Sequence, residues 1–295
     1  MLKKVPIILN PISGHGIGRR VLPRIEAGLR ELGYDPEVHV TAKQGDGRNA
    51  AAAAPDDSPC VVCLGGDGTL NEVLNGVVPR PITIAVFPTG TGNVFCKEIG
   101  LRSNVEFFLS LFTTGIVKPF DVGRADSRTF ISVAGAGFNA EVVRRMHRTR
   151  RGTMRMYEYV IPMFRAYFRY PFPPIRIEIE GEVVLEDAFL VEVGNIASYG
   201  GPMQFTIHAQ PDDGLLDVCA FRKSQHIKVF KHLVGTITRI HLHYSDVAYF
   251  RGKTVKLTSI GTVPTHVDGD ENGNLPTVYT VMPLAARFLV PPPKA

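Results

Sequence analysis

Apolar and polar residues follow two different periods in the first 120 residues of the chain. Continuous apolar runs such as 60–66 are typical of buried strands, whereas Leu22, Ile25 and Leu29 recur at helical spacing and stop before Gly33. The same contrast predicts strands at 4–10, 36–42, 60–66 and 82–87, and helices at 22–32, 47–55, 69–77, 92–99 and 103–113. Apolar strands that alternate with helices predict a parallel sheet covered on both faces.

The pattern changes near residue 120 to alternating strands and hairpins. Strands are predicted at 176–184, 186–195, 214–221, 247–260 and 278–284, with helical stretches near 139–168 and 224–238. We therefore predict an α/β fold with an N-terminal parallel-sheet domain (1–120), a C-terminal antiparallel β-sandwich domain (121–284) and a cleft between them. The last residues, 285–295, are expected to pack back on the first domain.

Composition narrows the class of protein. With 295 residues, 44% of them hydrophobic, the chain can bury a large core, and no run reaches the roughly 18 to 20 apolar residues that span a bilayer. Four scattered cysteines, Cys60, Cys63, Cys96 and Cys219, do not form a disulfide framework. This favours a cytoplasmic location and leaves peripheral membrane contact open. The net charge of +5 favours anionic partners.

Three predicted strands end in glycine-rich turns, at residues 10–18, 65–71 and 88–93. Glycine lets the backbone adopt positive φ and approach phosphate oxygens, and the N–H groups at the next helix start attract anions. Because ligands of parallel sheets bind at the carboxyl ends of the strands, the three turns together indicate a nucleotide site. They match neither a Walker loop nor a dinucleotide fingerprint, and Thr41 ends the second strand where a dinucleotide fold needs an acid.

The turn at 65–71 carries two polar features. Thr69 and Glu72 have the spacing of a capping box, so a helix start and a phosphate loop would coincide. Asp67 lies between glycines as an unpaired acid where a triphosphate would bind. We interpret it as holding a divalent cation or a network that orients the nucleotide.

Six motifs resemble those of diacylglycerol kinases and related bacterial lipid kinases over nearly the whole chain. The signature GGDGT, shared by diacylglycerol kinases, sphingosine kinases and NAD kinases, lies at 65–69 within GGDGTLNEVLNG. The other five motifs, in chain order, are NPISG, GTGN, AGAGFNAEV, PDDGLLDV and HVDGD. Six matches in the right order make the resemblance specific.

The resemblance implies a lipid kinase that binds ATP and Mg²⁺. The residues expected to contact ATP are Asn10, Pro11, Ser13, Gly14, Thr41, Gly65, Gly66, Asp67, Gly68, Thr69, Leu70, Asn71 and Thr91. The expected magnesium ligands are the Asp213 carboxylate and the backbone carbonyls of Gln210 and Leu215, since oxygen donors suit a hard cation. Asp270, which ends HVDGD, corresponds to the family's general base.

The pair Asp268 and Asp270 also stands out by its own chemistry. Two carboxylates on one turn can raise each other's pKa and leave one suited to accept a hydroxyl proton. Taken alone, Asp-Gly is more typical of a solvated hairpin turn, and the upstream motifs favour the catalytic interpretation. Two positions depart from the family pattern. Val94 follows Asn93 where the family has Asp, and Asp270 replaces Glu, with Glu271 next to it.

A membrane-facing surface is predicted after the motif AGAGFNAEV. A basic run there contains Arg144, Arg145, Arg148, Arg150, Arg151 and Arg155. The segment 154–174 then mixes aromatic residues with arginines, which is typical of an interfacial helix and equally of a buried helix. Our hypothesis is that this face docks on anionic lipid and presents the acceptor headgroup to the cleft.

Three classes of function remain compatible with the sequence. The leading class is a kinase that phosphorylates diacylglycerol or a related lipid. An NAD kinase shares GGDGT, but its Asn-Glu motif has no counterpart here, and an ATP-binding regulatory protein is compatible with Val94 and Asp270. Nucleic-acid binding is not expected, because the basic residues form no binding module. A homodimer is compatible with the sequence and is not required by it.

Overall fold

The computed structural model describes residues 2–149, 157–200, 202–222 and 229–293, without the side chains of 147–149 and 157–160. The chain divides into two compact units. Unit 1 comprises Met1–Phe120 with Leu284–Ala295, and unit 2 comprises Asp121–Pro283.

Unit 1 contains a parallel sheet, as predicted. Its strands are β1 (Lys3–Leu9), β2 (Tyr34–Val40), β3 (Cys60–Gly65), β4 (Thr83–Pro88) and the end of β17 (Thr277–Val290). Its helices are α1 (Ile17–Glu31), α2 (Asp46–Ala52), α3 (Asp67–Val77), α4 (Val94–Glu98) and α5 (Val105–Thr114). All neighbouring strands pair in parallel in the order β17–β4–β3–β1–β2.

The strand order of unit 1 reverses between β1 and β3. The chain leaves β1 for β2 on one side and later enters β3 on the other side of β1. Open parallel sheets bind ligands outside the carboxyl ends of their strands at such a reversal. The loops after β1 and β3 lie at this position, so a ligand site is expected there.

Unit 2 is built from antiparallel strands, which confirms the predicted fold class. Its strands are the second half of β5 (Ile116–Ala125), β6 (Arg128–Phe130), β7 (Val133–Gly137), β8 (Ile175–Ile179), β9 (Glu182–Gly194), β10 (Ser198–Gly200), β11 (Met203–Gln204), β12 (Leu216–Arg222), β13 (Val247–Gly252), β14 (Thr254–Thr258), β15 (Pro264–Val267), β16 (Asp270–Asn274) and the start of β17. Its helices are α6 (Phe138–Thr149), α7 (Tyr157–Arg169) and α8 (Val229–Thr238).

The long strand β9 organises unit 2, because it pairs with β7, β8 and β12. The sequence prediction was wrong in dividing this region after residue 184, since β9 runs unbroken from Glu182 to Gly194. It was also wrong in treating 247–260 as one strand, since β13 and β14 are separated at Lys253. Strand β7 was missed because its sequence, VAGAG, is too short and too rich in glycine to show alternation.

A buried polar cluster lies between β9, β15 and α6. The Glu192 carboxylate lies 3.0 Å from Nε2 of His266 and accepts a hydrogen bond of 2.7 Å from the Asn139 amide. Glu192 and His266 have no exposed surface. Since a buried carboxylate is costly without partners, the cluster holds together three elements of unit 2, including the strand that leads into the motif HVDGD.

We predict that Glu192→Ala lowers the free energy of unfolding by about 3 kcal/mol, because it removes the carboxylate that the buried His266 ring and the Asn139 amide both contact. Urea denaturation followed by circular dichroism measures the change. Glu186→Ala is the matched control, because Glu186 also lies on β9 but exposes 69% of its side chain. Equal stability of the two variants would contradict a structural role for the cluster.

Candidate active site

The three glycine-rich turns of unit 1 are joined by hydrogen bonds at the carboxyl ends of β1, β3 and β4. The Asn10 amide nitrogen donates to Oγ1 of Thr69 at 3.0 Å, and the backbone N–H of Asn10 donates to the carbonyl of Leu64. The backbone N–H of Thr89 donates to the carbonyl of Gly65 at 2.9 Å. The turns therefore form one surface at the point where the strand order reverses.

Glycine is required where these turns touch each other. Gly14 has a φ of 56°, and a Cβ atom there would lie 1.7 Å from the carbonyl oxygen of Thr89. A Cβ on Gly90 would lie 2.7 Å from Cα of Gly66. A Cβ on Gly68, by contrast, would meet nothing within 4 Å. Gly14, Gly66 and Gly90 thus serve loop packing, which brings backbone N–H groups of three turns close together.

The interpretation of Asp67 as an unpaired acid was wrong. Its carboxylate accepts hydrogen bonds from the backbone N–H groups of Asn93 at 2.8 Å and of Val94 at 2.7 Å. These groups open helix α4, so the acid of one turn caps the helix that follows the next turn. Burial raises the pKa of Asp67, while the two N–H donors oppose that shift. Because Val94 supplies its backbone, the missing Asp of the family pattern does not remove this link.

The predicted capping box was wrong as well. The cap residue of α3 is Gly66, with no side-chain cap. Oγ1 of Thr69 instead accepts a hydrogen bond from the Asn10 amide. The Glu72 carboxylate accepts hydrogen bonds from the backbone N–H groups of Gly45 and Gly47, each at 2.9 Å. The spacing that suggested a local cap therefore serves contacts with distant loops.

The predicted ATP residues all lie in unit 1 at or beside these turns. Thr41 follows β2 directly, and its backbone N–H donates to the carbonyl of Leu9 at 2.9 Å. Ser13 begins the short 3₁₀ turn after β1, and Thr91 is exposed in the turn before α4. The remaining predicted residues are Asn10, Pro11 and Gly14 after β1, Gly65 and Gly66 at the end of β3 and just before α3, and Asp67, Gly68, Thr69, Leu70 and Asn71 at the start of α3.

The motif HVDGD forms the tight hairpin between β15 and β16 in unit 2. Asp268 and Gly269 have φ values of 48° and 81°, as a two-residue Asp-Gly turn requires. The Asp268 carboxylate accepts the backbone N–H groups of residues 131–133 at 2.9 to 3.2 Å. Asp270 opens β16, and its carboxylate accepts a hydrogen bond of 3.0 Å from Arg128. The two acids therefore have separate partners.

The predicted magnesium segment, Gln210 to Leu215, lies in the loop before β12. One oxygen of the Asp213 carboxylate accepts the N–H of Leu215 at 3.1 Å, and the other pairs with the Arg251 guanidinium. Within the residues that the structure describes, no group of three His, Cys, Asp or Glu side chains could hold a metal ion. The predicted set consists of one carboxylate and two backbone carbonyls, so all of its donors are oxygens. This donor chemistry fits Mg²⁺.

Sequence reasoning missed three residues at these positions. Asp121 is fully buried, and its carboxylate accepts the N–H of Gly214 at 2.6 Å. Arg128 and Arg251 pair with the acids at 270 and 213. The partners are separated by 38 to 142 residues, so no local spacing reveals them. The segment FDVG, which places an acid between apolar residues in the middle of β5, was the available signal for Asp121.

Two family models match the chain in succession. Residues 4–125 match the diacylglycerol kinase catalytic domain. Residues 132–290 match the YegS C-terminal NAD kinase beta sandwich-like domain. The second match alone covers more than half of the chain, and the two together leave only short segments unmatched.

Relatives and solved structures agree with these matches over the full length. A diacylglycerol kinase of Staphylococcus carnosus is 29% identical and covers 95% of this chain and 92% of its own. The diacylglycerol kinase of Bacillus subtilis is 28% identical, and the match covers 100% of this chain and 98% of that protein. The crystal structure of a candidate diacylglycerol kinase from Bacillus anthracis superposes with a TM-score of 0.83 at 27% identity, over 99% and 96% of the two chains. The chain therefore belongs to the diacylglycerol kinase family of ATP-dependent lipid kinases.

Proposed function

We propose that this protein transfers the γ-phosphoryl group of ATP to a hydroxyl of diacylglycerol or a related lipid, with Mg²⁺. The observation that carries the proposal is the joined surface of three glycine-rich turns, locked by Asp67, at the reversal of a parallel sheet. Phosphoryl transfer asks a protein chiefly to position the two substrates and to neutralise charge.

The turns supply the phosphate-binding groups in this proposal. Their backbone N–H groups and the amino end of α3 point positive dipoles at the edge of the sheet. Asp67 acts by holding α4 in register with the turn after β3, rather than as a free acid. The ATP residues named from the sequence are proposed as the contacts, with Asn10 and Thr69 fixing the first two turns to each other.

Asp270 is proposed as the general base that accepts the proton of the lipid hydroxyl. Asp268 is bound by three backbone N–H groups and serves to anchor the hairpin that carries Asp270. The Arg128 guanidinium orients the Asp270 carboxylate. Asp213, Gln210 and Leu215 are the proposed magnesium ligands; the bound ion supplies positive charge to phosphate oxygens.

The lipid substrate implies contact with a membrane surface. No helix of the described residues is long and apolar enough to cross a membrane. We propose a cytoplasmic protein that binds membranes peripherally and that can act as a monomer or a homodimer. Of the six arginines in the predicted basic run, Arg144 and Arg145 pair with the Glu141 carboxylate. The other four, Arg148, Arg150, Arg151 and Arg155, lie outside the described side chains, so their docking on lipid stays a prediction.

A phosphorylation screen tests the proposal as a whole. The purified protein is incubated with labelled ATP, Mg²⁺ and a panel of lipids, with NAD as a further acceptor. We expect labelled phosphate on a lipid hydroxyl. Transfer to NAD alone would identify an NAD kinase, and ATP binding without transfer to any acceptor would identify a regulatory protein.

Replacement of the proposed base should remove catalysis without removing the fold. We predict that Asp270→Asn lowers kcat at least about a hundredfold, because an amide cannot accept the hydroxyl proton. Asp270→Glu introduces the family's residue and should retain activity. The neighbouring Glu271→Gln is the matched control, with kcat expected to stay within about twofold. Full activity of Asp270→Asn would remove this residue from the role of base.

Replacement of Asp67 should weaken the use of ATP. We predict that Asp67→Asn lowers kcat/KM for ATP by at least about tenfold, because an amide group can accept from only one of the two N–H donors of residues 93 and 94. The exposed Asp57, also in unit 1, provides the control variant Asp57→Asn. Steady-state kinetics at varied ATP concentration measure kcat/KM for both variants. An unchanged kcat/KM in Asp67→Asn would contradict the proposed role.

The metal requirement gives an independent test of the segment at 210–215. We predict that chelation with EDTA abolishes transfer and that Mg²⁺ restores it. Asp213→Ala should raise the Mg²⁺ concentration for half-maximal activity by about tenfold or more, because it removes the charged ligand. Asp212→Ala is the control. The same Mg²⁺ dependence in all three proteins would exclude Asp213 as a ligand.

A further inference from the structure

Helix α7 exposes large apolar side chains to solvent. Ile161, Phe164 and Phe168 lie three and four residues apart, on one face of the helix, and Phe168 is 75% exposed. On the opposite face Met163 and Ala166 are buried. The outer face of an amphipathic helix is normally polar, so α7 is apolar on both sides.

Helix α8 also exposes apolar side chains, and two of its polar side chains face inward. His232 and Thr236 are buried, whereas Phe230, Val234 and Ile237 recur at positions i, i+4 and i+7 and are exposed. The outer face of α8 therefore exposes apolar side chains to water, which is unfavourable. A face of this kind is typical of a helix that contacts an apolar partner.

The two exposed faces form one surface. The ring of Phe164 lies 5.2 Å from that of Phe230 and 6.3 Å from that of Phe168. We call the six residues the apolar patch: Ile161, Phe164, Phe168, Phe230, Val234 and Ile237. The three phenylalanines of the patch are the only ones with large exposure among the residues that the structure describes. Single exposed apolar residues are ordinary, but three clustered phenylalanines indicate a binding surface.

The patch is bordered by positive charge. Arg165 and Arg169 on α7 and Arg239 after α8 are exposed. The stretches 161–169 and 229–239 contain no acidic residue. Arginine around an apolar aromatic surface complements a layer of anionic headgroups over hydrocarbon.

We propose that the apolar patch inserts into the surface of membranes that contain anionic phospholipids, while Arg165, Arg169 and Arg239 bind the headgroups. The proposal rests on the lipid kinase function, because the patch brings the enzyme to the layer that holds its substrate. A second copy of the chain is the less favourable occupant. Symmetrical contact between two such patches would bring arginines of both copies together, and neither 161–169 nor 229–239 supplies an acid to pair them.

Vesicle binding tests the proposal directly. Vesicles of phosphatidylcholine with phosphatidylglycerol are sedimented with the full-length protein, and the bound fraction is measured over a range of lipid concentrations. We expect Phe164→Ser with Phe168→Ser, and separately Phe230→Ser with Val234→Ser, to weaken binding at least tenfold, because each pair removes two apolar anchors. The matched control is Ile260→Ser, since Ile260 is 98% exposed in unit 2 but lies outside the patch.

The charged border is tested separately. Arg165→Glu with Arg169→Glu should weaken binding to anionic vesicles by at least tenfold, and raised salt should weaken the binding of the unchanged protein. Thermal denaturation of each variant verifies the fold. Equal vesicle binding by folded patch variants and the unchanged protein would overturn the proposal. So would conversion of a dimer to a monomer in light scattering with vesicle binding unchanged, because the patch would then be a subunit interface.

Activity on a short-chain lipid separates this proposal from the proposed function. Dioctanoylglycerol in solution requires no docking, so the patch variants should phosphorylate it at the rate of the unchanged protein and lose at least tenfold on vesicle-borne diacylglycerol. If the unchanged protein phosphorylates neither lipid, the lipid kinase function is contradicted. Vesicle binding would still test the role of the patch in that case. Equal losses on both lipids would contradict docking as the role of the patch.

Discussion

The arrangement of unit 1 depends on one half-buried carboxylate that bridges two loops. Asp67 lies at the start of α3, and both of its oxygens accept N–H groups from the start of α4. The two turns that Asp67 joins are rich in glycine and have few side chains that could pack against each other. Its hydrogen bonds therefore fix the position of one turn relative to the other. Hydrogen bonds from backbone donors to a charged acceptor are among the stronger ones in proteins, and burial increases the cost of losing them.

In unit 2 another carboxylate accepts backbone N–H groups and fixes a turn in the same way. Asp268 accepts three consecutive backbone N–H groups and thereby fixes the hairpin from which Asp270 projects. Behind it, the buried Glu192 and His266 tie β15 to the central strand β9. In both units a carboxylate with a structural role stands beside the position proposed for chemistry. A family signature can therefore contain several acids of which only one reacts.

The sequence predicted those features that depend on neighbouring residues. Apolar runs such as that of β3 and the helical period of α1 gave the parallel sheet, and the motif order gave the family. Hydrogen bonds between distant residues could not be predicted. Thr69 and Glu72 have the spacing of a local cap, yet each binds a loop at least 25 residues away, and Asp67 is paired across 26 and 27 residues. Helix α8 was predicted as an element, but an apolar period predicts a buried apolar face, whereas α8 exposes Phe230, Val234 and Ile237.

The central claim is that Asp67 organises the turns that bind ATP. Amide hydrogen exchange at residues 89–94, with and without ATP, tests it most directly, because it reports on the N–H groups that Asp67 binds. We predict slow exchange of the Val94 amide in the unchanged protein, further slowing across this turn when ATP is added, and loss of both effects in Asp67→Asn. Identical exchange in the two proteins, or no response of this turn to ATP in the unchanged protein, would contradict the account.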